Sequence, residues 1–76
     1  MRRLQIHIDD RRRARPRVLT VKVPIEAEAR RLAEQLFAGS EDHLGVEVCE
    51  EGRRLFGFGT LANRTVCAQR PASVPA

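Results

Sequence analysis

Histidines, cysteines and adjacent carboxylates are the residues of this sequence that could take part in chemistry: His7, His43, Cys49, Cys67, Asp9-Asp10 and Glu50-Glu51. Zinc sites use ligands at close paired spacings, such as two cysteines two residues apart, and the sequence has no such spacing. Adjacent residues of a strand point to opposite faces, so neither carboxylate pair is expected to share a proton. We expect ordinary surface histidines, and we predict no catalytic site, no metal site and no cofactor.

The two cysteines are too few to hold together a secreted mini-domain. We expect reduced thiols, with a single Cys49–Cys67 bridge as the alternative. No apolar run approaches the roughly 18 residues of a membrane span, and the charged start of the chain has no apolar segment after it. We therefore expect a soluble, cytoplasmic protein with no membrane contact.

The most conspicuous charged feature is the run Arg11-Arg12-Arg13-Ala14-Arg15-Pro16-Arg17. The whole chain carries a net charge of +4, and the excess of positive charge lies within residues 1–17. A flexible basic loop could follow a phosphate backbone, meet an acidic protein patch, or only aid solubility. We predict a partner- or nucleic-acid-binding surface made of these arginines: Arg11, Arg12, Arg13, Arg15, Arg17, Arg53 and Arg54.

Apolar periodicity predicts four strands and one helix. Alternation with a period of two covers residues 3–8, 18–23, 44–49 and 53–60. An apolar stripe from Ile25 to Phe37 has helical spacing and predicts a helix over 25–38, without a polar side chain to cap its start.

The order β-β-α-β-β predicts a single two-layer α+β domain over residues 1–69. Strands joined by short loops should pair antiparallel, and the helix should pack on one face of the sheet. A fifth strand over residues 65–68 is left open. Residues 70–76 are predicted to form a disordered tail.

Two registers are conceivable for the hairpin formed by the last two predicted strands. A two-residue turn at Glu51-Gly52 would pair Val48 with Leu55 and place Phe56 and Phe58 on the opposite face. A three-residue loop ending in Gly52 pairs Val46 with Phe56, and Leu44 with Phe58. Burial of a Phe side chain contributes about 1.5–3 kcal/mol, so we predict the second register.

The segment Arg54-Leu55-Phe56-Gly57-Phe58 resembles part of the signature strand of RNA-recognition-motif domains, whose aromatic residues stack on bases. Leu55 and Gly59 depart from that signature, and the strand over 18–23 has no aromatic residue. We therefore predict that Phe56 and Phe58 belong to the core.

The layout of the chain resembles that of small phage-encoded anti-CRISPR proteins. The similarity covers a helix with the segment Ala-Arg-Arg-Leu-Ala (29–33), followed by strands over 44–49 and 53–60. It implies a stoichiometric protein that binds a CRISPR effector complex and blocks DNA capture. Members of that group are often acidic mimics of DNA, whereas this chain is basic.

Together these features predict a small binding protein rather than an enzyme. The first hypothesis is an inhibitor or regulator that docks on a protein or nucleoprotein complex. The alternative is a nucleic-acid-binding module that uses the Arg-rich loop. Formation of a homodimer is left open.

Overall fold

The fold is a single antiparallel sheet with one helix on one face. The computed structural model describes residues 1–67, with β1 (Arg2–Asp10), β2 (Arg17–Val23), α1 (Glu26–Ala38), β3 (His43–Glu50) and β4 (Arg53–Gly59). The strand order is β2-β1-β3-β4, and every neighbouring pair is antiparallel. The predicted α+β class and the order β-β-α-β-β are confirmed. Residues 65–67 are not a strand, while Ala68 and the predicted 70–76 tail lie outside the described residues.

The core lies between α1 and one face of the sheet. Alternate residues of the central strands β1 and β3 point toward the helix, and α1 contributes small residues that allow a close approach. The fully buried members include Leu4, Ile6, Ile8, Ala29, Ala33, Val46 and Val48.

The helix begins one residue later than predicted, after Ile25. Ile25 is in an extended conformation at the N-cap without a side-chain hydrogen bond, so the prediction of an uncapped start is confirmed. Its side chain is 55% exposed, and its expected place in the buried stripe is corrected. The described residues include no helix long and apolar enough to cross a membrane.

The β3–β4 hairpin corrects the predicted register. Its turn is the two-residue type, with Glu51 and Gly52 both at positive φ (53° and 79°), which matches the twist of the flanking strands. A bulge then shifts the ladder, because Cys49 pairs with Arg54 but Val48 pairs with Phe56. The extra residue on β4 is Leu55.

The bulge brings both aromatic residues onto the helix side of the sheet. Phe56 pairs with Val48 and Phe58 with Val46, and the Phe58 ring lies 6.2 Å from that of Phe37 on α1. The predicted core role of Phe56 and Phe58 is confirmed, although their predicted strand partners are wrong. The prediction failed because it assumed an uninterrupted ladder.

The other face of the sheet is partly covered by residues 60–67. Leu61 is fully buried and Cys67 is 2% exposed. The segment turns back at Thr60, whose backbone N–H donates to the Leu44 carbonyl (2.9 Å). It then runs over Gly45 and Gly57, where the absence of a side chain makes room for it.

We expect Gly45→Ala to destabilise the fold by about 1–3 kcal/mol, because it overpacks a closed contact. An added Cβ would lie 2.7 Å from the Leu61 nitrogen and 2.9 Å from the Thr60 nitrogen. The measurement is the urea midpoint of unfolding. Gly39→Ala, at a position with a φ of −79°, is the control with a smaller expected change. An unchanged midpoint for Gly45→Ala would contradict the packing of residues 60–67 against β3.

Candidate functional site

The arginine-rich loop between β1 and β2 is partly neutralised by carboxylates of the fold. Arg12 binds Asp10 with two side-chain contacts, Nη2 to Oδ2 at 2.7 Å and Nε to Oδ1 at 3.0 Å. Arg11 Nε donates to Asp42 Oδ1 at 2.7 Å, and its backbone N–H donates to the Asp42 carbonyl. Arg12 Nε also lies 3.2 Å from Asp42 Oδ2, so these two arginines fasten the loop to the α1–β3 connection.

Asp10 is the buried anchor of this arrangement, since its carboxylate has almost no exposure. The Arg12 guanidinium and the Arg12 backbone N–H hold the pKa of Asp10 well below its usual range, against the opposing effect of burial. The charged form of Asp10 is thus the form that the folded loop requires.

His43 connects the same carboxylate to the helix. Its Nδ1 donates to the Leu36 carbonyl at 2.6 Å, and its Nε2 lies 3.8 Å from Asp10 Oδ2. The His43 side chain is only 11% exposed. The expectation that His43 is an ordinary surface residue in a loop is therefore corrected: it is the first residue of β3 and links two elements.

Three arginines of the run 11–17 have no carboxylate partner within residues 1–67: Arg13, Arg15 and Arg17. Arg13 and Arg15 are exposed at the tip of the loop, and Arg17 is half-buried at the start of β2. Since Arg11 and Arg12 are already paired, these three supply the charge that the loop can offer to a partner.

The end of β1 and β2 that lies opposite to the loop carries two further cations on the face away from the helix. Arg3 of β1 and Lys22 of β2 are cross-strand neighbours, and both are exposed. Between them and the loop the face presents small or polar groups, with Thr20 and Val18 exposed along β2. From Arg17 to Lys22 this strand extends over about 17 Å.

Strand β2 is an edge strand. It pairs with β1 and no other strand of the described sheet, so one row of its backbone N–H and C=O groups faces outward. We call the β2 edge with Arg3, Arg13, Arg15, Arg17 and Lys22 the basic edge.

The remaining two predicted arginines differ from each other. Arg54 is committed to the fold, because its Nη2 donates to the Leu61 and Ala62 carbonyls and its Nε lies 3.5 Å from Glu47 Oε2. Arg53 is exposed and pairs with Glu50 in the ladder. Both lie on β4, at the opposite edge of the sheet from the basic edge.

His7, Cys49 and Cys67 form a cluster on the sheet face away from the helix, where residues 60–67 pack against the sheet. The structure pairs Cys49 with Cys67 at a Cα–Cα separation of 6.4 Å, which is within the range of a disulfide and favours the alternative of a single bridge over the expected reduced thiols. A ring nitrogen of His7 and the two sulfurs all lie within 4.8 Å of one another. Burial lowers the pKa of His7, while the Glu47 carboxylate opposes that effect.

Glu47 is the fully buried charge that holds this cluster together. Its Oε1 accepts the backbone N–H groups of Val66 (2.8 Å) and Cys67 (3.2 Å). Its Oε2 has no hydrogen bond in the structure but lies within ion-pair distance of Arg54. A single carboxylate therefore fixes the end of the described chain against the sheet.

Sequence reasoning missed this cluster because its members are far apart in the chain. One signal was present: Glu47 occupies the same face as Gly45 and, across the ladder, Gly57. Small residues around a carboxylate in a central strand leave room for a covering segment. That pattern does not tell which segment covers it.

Comparisons of the chain with protein-family models, with curated proteins and with solved structures give no match. The similarity in layout to anti-CRISPR proteins accordingly stays a prediction.

Replacing Glu47 with Ala should lower the free energy of unfolding by about 1.5–3 kcal/mol, since hydrogen bonds to a buried charged group are lost. Amide hydrogen exchange should speed up most at Val66 and Cys67, which lose their acceptor. Glu34→Ala, an exposed change on α1, is the control. Unchanged protection at these two amides would show that Glu47 does not hold the segment.

Acid should destabilise the protein partly through Asp10 and Glu50, whose pKa values the arginines Arg12 and Arg2 lower in the folded state. The unfolded chain then binds protons first, so the stabilisation is complete above the unfolded values of about 4 and is lost as the pH falls below them. We expect Asp10→Asn to reduce the loss of stability between neutral pH and acid. The measurement is chemical denaturation at several pH values.

The matched control for Asp10→Asn is Glu34→Gln, which removes one carboxylate from an exposed site and should keep the full loss of stability in acid. Parallel pH profiles for Asp10→Asn and the unmodified protein would contradict the role of Asp10.

Proposed function

We propose that this chain is a small non-catalytic binding protein that docks through its basic edge on an acidic surface of a protein or nucleoprotein complex, as an inhibitor or regulator. The observation that carries the proposal is the combination of an edge strand, whose outer side has no neighbouring strand in the described sheet, with cations that have no carboxylate partner in the described chain.

The distribution of ion pairs supports the choice of this surface. Arg2, Arg11, Arg12 and Arg54 contact carboxylates of the fold. A cation that is already paired has less to gain from a partner. Arg13 and Arg15 are exposed and keep their hydrogen-bond donors available for carboxylates or phosphates.

The backbone of β2 supports a protein partner. An edge strand can accept an extended segment of another chain through main-chain hydrogen bonds, with side-chain contacts adding specificity. Val18, which is 51% exposed, offers an apolar contact in the middle of this strand. Arg17 and Lys22 repel a second basic edge and attract an acidic one, so the charge favours a different protein over a second copy of this chain.

Nucleic acid is the second candidate, and the same unpaired cations favour it. Phosphate backbones bind arginine and lysine without sequence readout. However, single-strand binders usually add aromatic platforms on which bases stack. The three aromatic rings of this chain are on the helix side of the fold, where Arg30 lies 4.4 Å above the Phe56 ring. The proposal therefore puts a protein surface first.

Among nucleoprotein partners, the similarity in layout suggests a CRISPR effector complex as the first to try. A basic edge would meet an acidic region of an effector protein or its bound nucleic acid. The inhibitor would act by occupying that region, and no residue of the chain would have to react.

The test is a comparison of partner binding by two charge-matched double variants. Arg13→Ala with Arg15→Ala removes two cations of the basic edge, and Arg31→Ala with Arg64→Ala removes two exposed cations elsewhere. Loss of two charge-assisted contacts is about 2–4 kcal/mol, or roughly 30-fold to 1,000-fold in affinity. Affinity should fall by this amount for the first pair and change little for the second. Size-exclusion chromatography and calorimetry with purified candidate complexes give the measurement.

Equal loss of binding in both double variants would mean that only net charge matters, and the proposed surface would be wrong. Binding to bare DNA or RNA, measured by mobility shift, separates the two candidates. A nucleic-acid binder should lose affinity steeply with salt, and the Arg13/Arg15 variant should reduce the slope of log K against log salt by about 1.4–1.8. Strong, salt-sensitive binding to bare nucleic acid with that reduced slope would replace the protein-first proposal by the second candidate.

A further inference from the structure

The cluster of His7, Cys49 and Cys67 has the composition of a transition-metal site. Two thiolates and one imidazole are ligands that zinc prefers, and three protein ligands with a fourth open position form a recognised type of zinc coordination. All three ligand atoms lie within 4.8 Å of one another. We propose that, when its disulfide is reduced, this chain binds one Zn²⁺ through Cys49, Cys67 and His7, so that the same cysteines alternate between a disulfide and a metal site.

The sheet places two of the ligands without any help from the disulfide. Gln5 pairs with Cys49 and His7 pairs with Glu47 across the β1–β3 ladder. His7 and Cys49 are therefore diagonal neighbours on the same face, a separation that a long or aromatic side chain can bridge. Their relative position depends on main-chain hydrogen bonds at the centre of the sheet, which reduction of the sulfurs does not break.

The third ligand is also held independently of the disulfide. The Cys67 backbone N–H and that of its neighbour Val66 donate to the buried Glu47 carboxylate. Reduction of the sulfur–sulfur bond leaves both hydrogen bonds in place, so Cys67 should stay near Cys49. Glu47 would then act as the outer partner that orients a ligand, a role that commonly raises metal affinity.

The dimensions suit zinc. Tetrahedral coordination, with Zn–S bonds of about 2.3 Å and Zn–N bonds of about 2.0–2.1 Å, puts neighbouring ligand atoms about 3.5–3.8 Å apart. The Cys49 and Cys67 Cα atoms, 6.4 Å apart, allow two thiolates to take up that separation. His7 is only half-buried, so the fourth position can be taken by water.

The conversion balances with a dithiol as the reductant. The dithiol gives two electrons and two protons to the Cys49–Cys67 disulfide, which becomes two thiols, while the dithiol becomes a disulfide. Zn²⁺ then displaces the two thiol protons, which go to solvent, and binds the two thiolates and the neutral His7 imidazole. A reducing compartment would favour the metal form and an oxidising one the disulfide.

The test uses the full chain, reduced with a dithiol under anaerobic conditions and freed of reductant, and then titrated with Co²⁺ and Zn²⁺. We expect one ion per chain, a thiolate-to-cobalt charge-transfer absorption, and displacement of Co²⁺ by Zn²⁺. The oxidised protein should give no such absorption. Loss of a direct ligand should exceed the 10–100-fold effect typical of outer-shell changes, so His7→Gln should bind at least ~100-fold more weakly, and Cys49→Ser should lose the signal of a two-thiolate site.

His43→Gln is the matched control, because His43 lies outside the cluster and glutamine can still donate to the Leu36 carbonyl. It should bind Co²⁺ as the unmodified protein does. Circular dichroism of the reduced, metal-free chain checks its fold. If reduction unfolds the chain, Zn²⁺ should restore the fold, and failure to do so would overturn the proposal. Absence of a one-to-one cobalt signal, an equal signal from oxidised protein, or unchanged affinity in His7→Gln would also overturn it.

Discussion

The contacts of the buried Glu47 carboxylate hold together the sheet face that points away from the helix. A charged group without exposure is stable in a fold when hydrogen bonds and an opposite charge compensate for the loss of water. Here the compensation comes from two backbone N–H groups at Val66 and Cys67 and from the Arg54 guanidinium. The same contacts press residues 60–67 onto the sheet. Without these contacts, residues 60–67 would not be held over β3 and β4, and Cys67 would not be held next to Cys49.

The arginines of the Arg-rich loop fall into two groups, those that pair with carboxylates of the fold and those that do not. At one end of the sheet, Asp10 and Asp42 take up Arg11 and Arg12 and hold the loop to the body of the fold. The arginines beyond them have no such partner in the described chain and form the surface that the proposed function uses. The number of arginines in the run therefore overstates the charge that is available for binding. The charge available to a partner lies at the tip of the loop, in Arg13 and Arg15, and at its junction with β2, in Arg17.

The two faces of the sheet also differ in what packs against them. The helix side holds the hydrophobic core and the three phenylalanine rings. The other side is divided: β3 and β4 are covered by the segment around Leu61, while the outer part of β1 and β2 stays accessible. His7 lies at the boundary between the covered and the accessible part. That position brings it next to the cysteines and leaves it half-buried.

The sequence by itself determined the four strands and the helix, their order, and which residues of the central strands face the helix. It could do so because period-two and helical apolar patterns depend on local geometry that every strand and helix shares. It also located the basic loop. Only the tertiary structure decided the Leu55 bulge, the neutralisation of Arg11 and Arg12, and the meeting of His7 with Cys49 and Cys67. These features depend on contacts between residues distant in the chain. No local pattern encodes such contacts. The meeting of His7 with the two cysteines, for example, requires residues 60–67 to pack on the sheet, where Glu47 accepts the backbone N–H groups of Val66 and Cys67.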